Sequence, residues 1–287
     1  MKVAVLGPGA VGGVLTIGFI QGGVDVVCVA RPATAEVIRS EGLSLRRGDE
    51  EHVVRPEVTT QLQEPVELLL VTVKAPALED ALARIEAEPR FAVPLLNGIE
   101  HLETLRERLP GTDVVGASIG RIEAWLERPG VVVQPTPSVV MTVAAGAPVE
   151  LLRRSGAEIR VNGTAVEVLW EKLARQAATA AVTSISQRPV GELRSDPEWG
   201  PRFREAVTEA CAVAAADGVT LSADAEWEII EAMPPLLTSS TARDIAAGIP
   251  SELDAITGAA VRAGRRLGVE TPVLTQMFDE ACRASSG

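Results

Sequence analysis

Short β-branched runs alternate with helical patterning over the first half of the chain, and helical patterning alone fills the second. Residues 3–6 form an apolar run closed by glycine, and 10–21 carry a helical pattern that begins inside a glycine-rich turn. A second apolar run covers 24–30. Runs at 43–45 and 52–54 flank Arg47-Gly48-Asp49 and predict a small hairpin. Leu68-Leu69-Leu70-Val71-Thr72-Val73 is the clearest buried strand, followed by runs at 92–96, 114–118, 131–133 and 139–143. This alternation predicts a parallel, doubly wound sheet with helices on both faces. After Asn162-Gly163 no strand pattern remains. Helices are expected over 166–185, 198–216, 223–232, 239–247, 252–267 and 273–284, with Asp217-Gly218, Leu267-Gly268, Pro201, Pro234, Pro250 and Pro272 as punctuation. The expected class is α/β: an N-terminal Rossmann-type doubly wound domain over 1–164, then a C-terminal all-helical domain over 165–287. A ligand is expected in a cleft between them.

Gly7-Pro8-Gly9-Ala10-Val11-Gly12 lies where the first strand gives way to the first helix. Gly7 suits a tight turn, Gly9 a close approach of backbone to pyrophosphate, and Gly12 close packing of helix on strand. The helix N-terminus adds N–H donors and a positive dipole end. An NAD-specific unit usually places Asp or Glu at the end of the second strand, about 20 residues past the glycines. Asp25 comes too early for that, and Ala30-Arg31 stands at the strand end instead. Arg31 is either a solvated residue opening a Pro-containing loop or a guanidinium for a 2′-phosphate. The second reading makes NADP the expected cofactor.

Composition narrows the rest. The 287 residues are 46% hydrophobic but only 3% aromatic, with no Tyr, so the core is aliphatic and tyrosine acid–base chemistry is excluded. A net charge of −12 without a Lys/Arg stripe argues against nucleic acid. Cys28, Cys211 and Cys282 have no metal-ligand spacing, so no metal site is expected and a reduced, cytoplasmic setting fits. With a strand from residue 2 and no long apolar stretch, neither a leader nor a membrane span is expected.

Lys74 and Asn97-Gly98 follow two of the expected strands, at the ends where dinucleotides bind. Each is open to a plainer reading, as a solvated strand cap and a turn. Lys172 lies in the otherwise apolar Leu169-Trp170-Glu171-Lys172-Leu173-Ala174, and the chain has only two other lysines, Lys2 and Lys74. A lysine in a desolvated cleft can release a proton near neutrality, which arginine cannot. The alternative is an outward lysine pairing with Glu167 or Glu171. Ser239-Ser240-Thr241 and Ser251-Glu252-Leu253-Asp254 read on their own as helix caps.

Over nearly its full length the chain resembles the ketopantoate reductase family. The resemblance rests on the glycine turn, Arg31, the Val-Thr-Val-Lys segment ending at Lys74, Asn97-Gly98, and Trp170-Glu171-Lys172-Leu173. Gly191-Glu192-Leu193 and Ser240 followed by Ser251-Glu252-Leu253-Asp254 complete it. It implies NADPH-dependent reduction of a 2-oxo acid, 2-dehydropantoate to pantoate, on the route to pantothenate. It further implies Lys172 as proton donor and Asn97 as a contact of nicotinamide ribose and substrate. Ser240 would contact the substrate carboxylate, Glu252 the cofactor ribose, and Arg31 with Lys74 the 2′-phosphate.

The resemblance places asparagines one and two turns after the lysine, toward substrate. Gln176 and Ala180 stand there, on the same helical face as Lys172. Gln176 can imitate an amide with longer reach, whereas Ala180 has no hydrogen bond to offer, and Thr179 or Thr183 could substitute only from a rotated position. Thr257 stands where the family usually has Asn. The cofactor half of the site thus matches the family and the substrate half departs from it. Three readings stay open: a 2-oxo acid reductase, a relative acting on another ketone or imine, and a non-catalytic NADPH sensor. The expected partner is a small-molecule 2-oxo acid, with neither nucleic acid nor membrane. The oligomeric state, a homodimer among the options, is not given by the sequence.

Overall fold

The computed structural model describes residues 1–285. In chain order it opens with β1 (Lys2–Leu6), α1 (Ala10–Gln21), β2 (Asp25–Val29) and α2 (Pro32–Glu41). The hairpin β3 (Leu43–Arg47) and β4 (Glu50–Val54) follows, then β5 (Glu57–Thr59), β6 (Leu68–Val71), α3 (Leu78–Leu82) and β7 (Phe91–Pro94). Next come α4 (His101–Arg108), β8 (Asp113–Val114), β9 (Ala117–Arg121), β10 (Trp125–Arg128), β11 (Val131–Val133), β12 (Val140–Val143), α5 (Val149–Arg153) and β13 (Glu158–Val161).

Six of these strands form one all-parallel sheet in the order β5-β2-β1-β6-β7-β8, the 3-2-1-4-5-6 order of a dinucleotide-binding fold. Leu6 pairs with Val29 on one side and Val71 on the other, so three strands end level around the glycine turn. Alternate side chains enter opposite layers. Val3, Val5, Leu68 and Leu70 pack in the cluster under α1, whereas Ala4, Leu6, Leu69 and Val71 pack with Leu78 and Leu105 of α3 and α4. A sheet buried on both faces is why the 68–71 run is uninterruptedly apolar.

The sheet is smaller than the strand pattern suggests. The expected strand at 114–118 breaks at Val115-Gly116 into β8 and β9, because β9 turns away to pair antiparallel with β12. Two small mixed sheets result, β10-β11-β3-β4 and β13-β12-β9. Strands β5, β10 and β13 escape the pattern because they are short and mostly exposed or polar. The residues after Arg31, a Pro-containing loop in one of the two readings of that arginine, form α2, with Pro32 in its first turn, where a missing N–H costs nothing.

The second half is helical among its described residues: α6 (Ala165–Ser186), α7 (Val190–Ser195), α8 (Trp199–Ala216), α9 (Ala223–Glu231) and α10 (Ser240–Ala246), then α11 (Ala259–Leu267) and α12 (Pro272–Ser285). Thr164 and Glu167 cap α6 reciprocally, Thr164 N–H donating to Glu167 (2.6 Å) and Glu167 N–H to the Thr164 hydroxyl (3.3 Å). Trp170 is fully buried and its indole N–H donates to Asp217 at the end of α8 (2.7 Å), which fixes the rotation of α6. The buried Glu209 carboxylate accepts from the main-chain N–H groups of Val273 and Leu274 and caps α12. The expected helix over 252–267 instead opens with a π-turn at Asp254–Gly258.

Two compact units divide the chain. Met1–Leu96 joins His101–Val168, and Asn97–Glu100 joins the chain from Leu169 onward. Asn97–Glu100, separated from the end of β7 by two residues, therefore belong with the helices and not with the sheet that delivers them.

Candidate active site

In the first unit the glycine turn is a main-chain construction. Gly7 has φ +87°, a conformation that favours glycine, and its N–H donates to Val29 O (3.0 Å). The Thr72 hydroxyl donates to the carbonyls of Leu6 (3.1 Å) and Gly7 (2.7 Å), clamping the turn to the end of β6. A Cβ on Gly12 would collide with the Gly7 carbonyl and the Thr72 hydroxyl, so only glycine lets α1 begin this close to the strand. At Gly9 a Cβ would meet open space, with the Gly7 carbonyl its sole neighbour, at 3.9 Å. No side chain caps α1 and no acidic residue stands in its first turn. Ala10 and Val11 thus start a helix whose first N–H groups face that opening, a cradle that fits pyrophosphate.

Arg31 and Lys74 flank this turn, since β2 and β6 are the two neighbours of β1 and both residues follow those strands. Arg31 is exposed and precedes α2 as its N-cap residue; its carbonyl accepts from Ala35 N–H (2.9 Å), and its guanidinium makes no hydrogen bond or ion pair among the described residues. Lys74 is exposed at the start of a single 3₁₀ turn, Ala75–Ala77. Two cations beside the glycine turn fit a dinucleotide carrying an extra phosphate.

In the second unit a different device forms from side chains. Asn97 is its hub. Its Nδ2 donates to Glu252 Oε2 (2.9 Å), while its Oδ1 accepts from Lys172 Nζ (2.9 Å) and from Gln176 Nε2 (3.1 Å). A carboxylate can only accept and an ammonium only donate, so these partners fix which way the amide faces. Lys172 and Gln176 lie one turn apart on α6, and Gly98 (φ +88°) brings the loop against the Ala255 carbonyl. Burial pushes the Lys172 ammonium down to about 8, opposed by the charge of Glu252 and aided by that of Arg175. Arg175 is held by the buried Glu226 (2.8 Å) and by the Glu171 carbonyl. A half-buried lysine with this pKa, on a hydrogen-bonded amide, suits proton donation near neutrality.

Comparison with known proteins decides the family. The model of ketopantoate reductase PanE/ApbA matches residues 3–148, and that of its C-terminal domain matches 164–281. The chain belongs to the ketopantoate reductase PanE/ApbA family. Like its relatives it is an oxidoreductase with a Rossmann-type sheet followed by helices. It is 31% identical over 284 residues to the 2-dehydropantoate 2-reductase of Pyrobaculum aerophilum, covering 96% of this chain and 95% of that one. It is also 31% identical to the 2-dehydropantoate 2-reductase of Caulobacter vibrioides, with 94% of each covered. The solved PanE/ApbA family ketopantoate reductase from Ralstonia eutropha JMP134 superposes with a TM-score of 0.88 at 27% identity, over 100% of this chain and 99% of that one. A ternary structure of D-mandelate dehydrogenase with NADH and anilino(oxo)acetate shares the fold, with a TM-score of 0.89 at 21% identity over 100% and 98%.

Other residues named from the family pattern lie as follows. Ser240 is the exposed first residue of α10, whereas Ser239 caps that helix and hydrogen-bonds the Thr183 hydroxyl (2.7 Å). Ala180 is 1% exposed within the apolar cluster of the helices. The hydroxyls of Thr179 and Thr183 donate to main-chain carbonyls one turn back, at Arg175 (2.8 Å) and Thr179 (2.7 Å), so their protons serve the helix. Thr257 is fully buried and donates to Ala177 O (2.8 Å), tying the π-turn to α6. The sequence reading missed Thr72 as a clamp and Gln176 as a partner of Asn97. Thr72 sits in the Val-Thr-Val-Lys motif, a signal that was available; the Gln176 bond has none. No helix among the described residues is long and apolar enough to cross a membrane.

Proposed function

We propose that the chain is an NADPH-dependent reductase of a 2-oxo acid, with residues 1–164 holding the cofactor and 165–287 holding substrate and proton donor. The observation that carries this reading is Lys172, half-buried, bonded to Asn97 and depressed to about 8. Gly7, Pro8, Gly9, Ala10, Val11 and Gly12 would cradle the pyrophosphate, and Arg31 with Lys74 the 2′-phosphate. Asn97 and Glu252 would meet the nicotinamide ribose. NADPH held there would supply hydride chemistry at the carbonyl carbon. Negative charge then builds on the carbonyl oxygen, where the Lys172 ammonium stabilises it and gives it a proton. The lysine is left as a neutral amine and regains its proton from solvent. Ser240 would hold the substrate carboxylate.

The family reaction is reduction of 2-dehydropantoate to pantoate. One observation favours a different 2-oxo acid: of the two amides that the family pattern aims at substrate, one is replaced by the buried, apolar Ala180 and the other, Gln176, is engaged by Asn97. A substrate hydroxyl left unpaired there would cost about 1–3 kcal/mol. An apolar group facing Ala180 would not. Rates of NADPH oxidation with 2-dehydropantoate, 2-oxoisovalerate and benzoylformate test both readings. Turnover of any of them supports a 2-oxo acid reductase, their ranking identifies the side chain, and no turnover with any points instead to another ketone or imine substrate or to a sensor.

A further inference from the structure

Lys172 and Gln176 converge on the same oxygen, Asn97 Oδ1, at 2.9 and 3.1 Å. A carbonyl oxygen has two lone pairs, and these two donors fill them. The third partner, Glu252, holds the other end of the amide. An asparagine at position 176 would be one methylene shorter than the glutamine whose amide makes this bond. We propose that Gln176 is a positioning residue for the proton donor: it holds the Asn97 carbonyl in place and keeps it bonded when the Lys172 ammonium turns to the substrate oxygen. This rests on the reading of Lys172 as that donor.

The physical argument concerns competition. With Gln176 present, Lys172 shares its acceptor and is bound to it less tightly. When Lys172 hands its proton to the substrate oxygen it becomes a neutral amine, and its charge-assisted bond to Asn97 is lost. Asn97 Oδ1, half-buried beside Glu252, then still accepts from Gln176. Without Gln176 the ammonium is the one donor of this trio left to Oδ1, so leaving it strands a polar atom. The charged groups acting on Lys172 are Glu252, which favours the ammonium, and Arg175, which opposes it. Neither changes on substitution of the neutral Gln176.

Gln176→Leu and Gln176→Ala, with Lys172→Ala as reference, test this from about pH 6 to pH 10. The assay uses NADPH and the fastest-reduced of 2-dehydropantoate, 2-oxoisovalerate and benzoylformate. Loss of Gln176 should lower kcat about 5- to 10-fold and leave KM within about threefold. The alkaline limb of kcat/KM should move upward by roughly half a pH unit, because a hydrogen bond to the charged form raises a lysine pKa. A KM rise of about tenfold with the limb unmoved would make Gln176 a substrate contact. A lower kcat with no movement of the limb would make it merely structural, and either result overturns the proposal. Gln176→Ala carries the same readings should the leucine variant not fold. Full activity in Lys172→Ala would instead remove the donor itself, an outcome separate from failure at Gln176.

Discussion

The glycine turn and the Asn97 network are built by opposite means. The turn works through main-chain geometry: Gly7 at positive φ, Gly12 with no room for a Cβ, and uncapped N–H groups at the start of α1. Nothing in it titrates. The network works through four side chains from three segments, Lys172 lying 75 residues and Glu252 155 residues from the asparagine that joins them. Its lysine has a pKa lowered by burial and adjusted by two neighbouring charges. A main-chain device tolerates few substitutions, because sterics decide them. A side-chain network can exchange one member and keep its connections, and Gln176 is bonded to Asn97 here. The difference fits the proposal that this chain matches its family in the cofactor half and departs from it in the substrate half.

Substitutions on the two sides should therefore fail differently. The largest effect is expected at Lys172→Ala, where kcat should fall at least roughly 100-fold while NADPH affinity, measured by fluorescence titration, stays near wild type. Arg31→Ala should do the reverse. NADPH Kd should weaken roughly 10- to 150-fold, the scale of a lost charge-assisted pair of about 1.5–3 kcal/mol, with NADH affinity unchanged. Equal wild-type affinities for the two cofactors would refute the NADP assignment. Gly12→Ala should cost about 1–3 kcal/mol by overpacking, seen as a lower Tm and weakened cofactor binding. The smallest effect is a shift. Glu252→Gln removes the charge that favours the Lys172 ammonium, so the alkaline limb of kcat/KM should move to lower pH.

The same contrast explains what could be read from the sequence. The glycine turn was legible because its residues are contiguous, and Arg31 and Lys74 because each closes an apolar run. Strand β6 was legible because both its faces are buried. Strands β5, β10 and β13 were not, being short and polar or exposed, and neither was α2, which has Pro32 in its first turn. Asn97 and Lys172 were legible as candidates, one at a strand end and one as a rare lysine in an apolar helix, but their roles and the choice of Glu252 came from the family resemblance, since nothing local links residues so far apart. Gln176 was read as facing substrate. Its bond to Asn97 depends on a loop that leaves the sheet unit for four residues, which no pattern in the chain reports.

The most direct test of the account is the pH dependence of kcat/KM for the best 2-oxo acid at saturating NADPH, with Lys172→Arg measured beside the wild type. A donor lysine lowered to about 8 is charged below that pH and loses its proton above it. Activity should then hold through neutrality and fall along an alkaline limb near 8. Lys172→Arg should be poorly active throughout, because a guanidinium does not release its proton in this range. A wild-type profile flat to pH 10, or an arginine variant of near-normal rate, would contradict Lys172 as the proton donor.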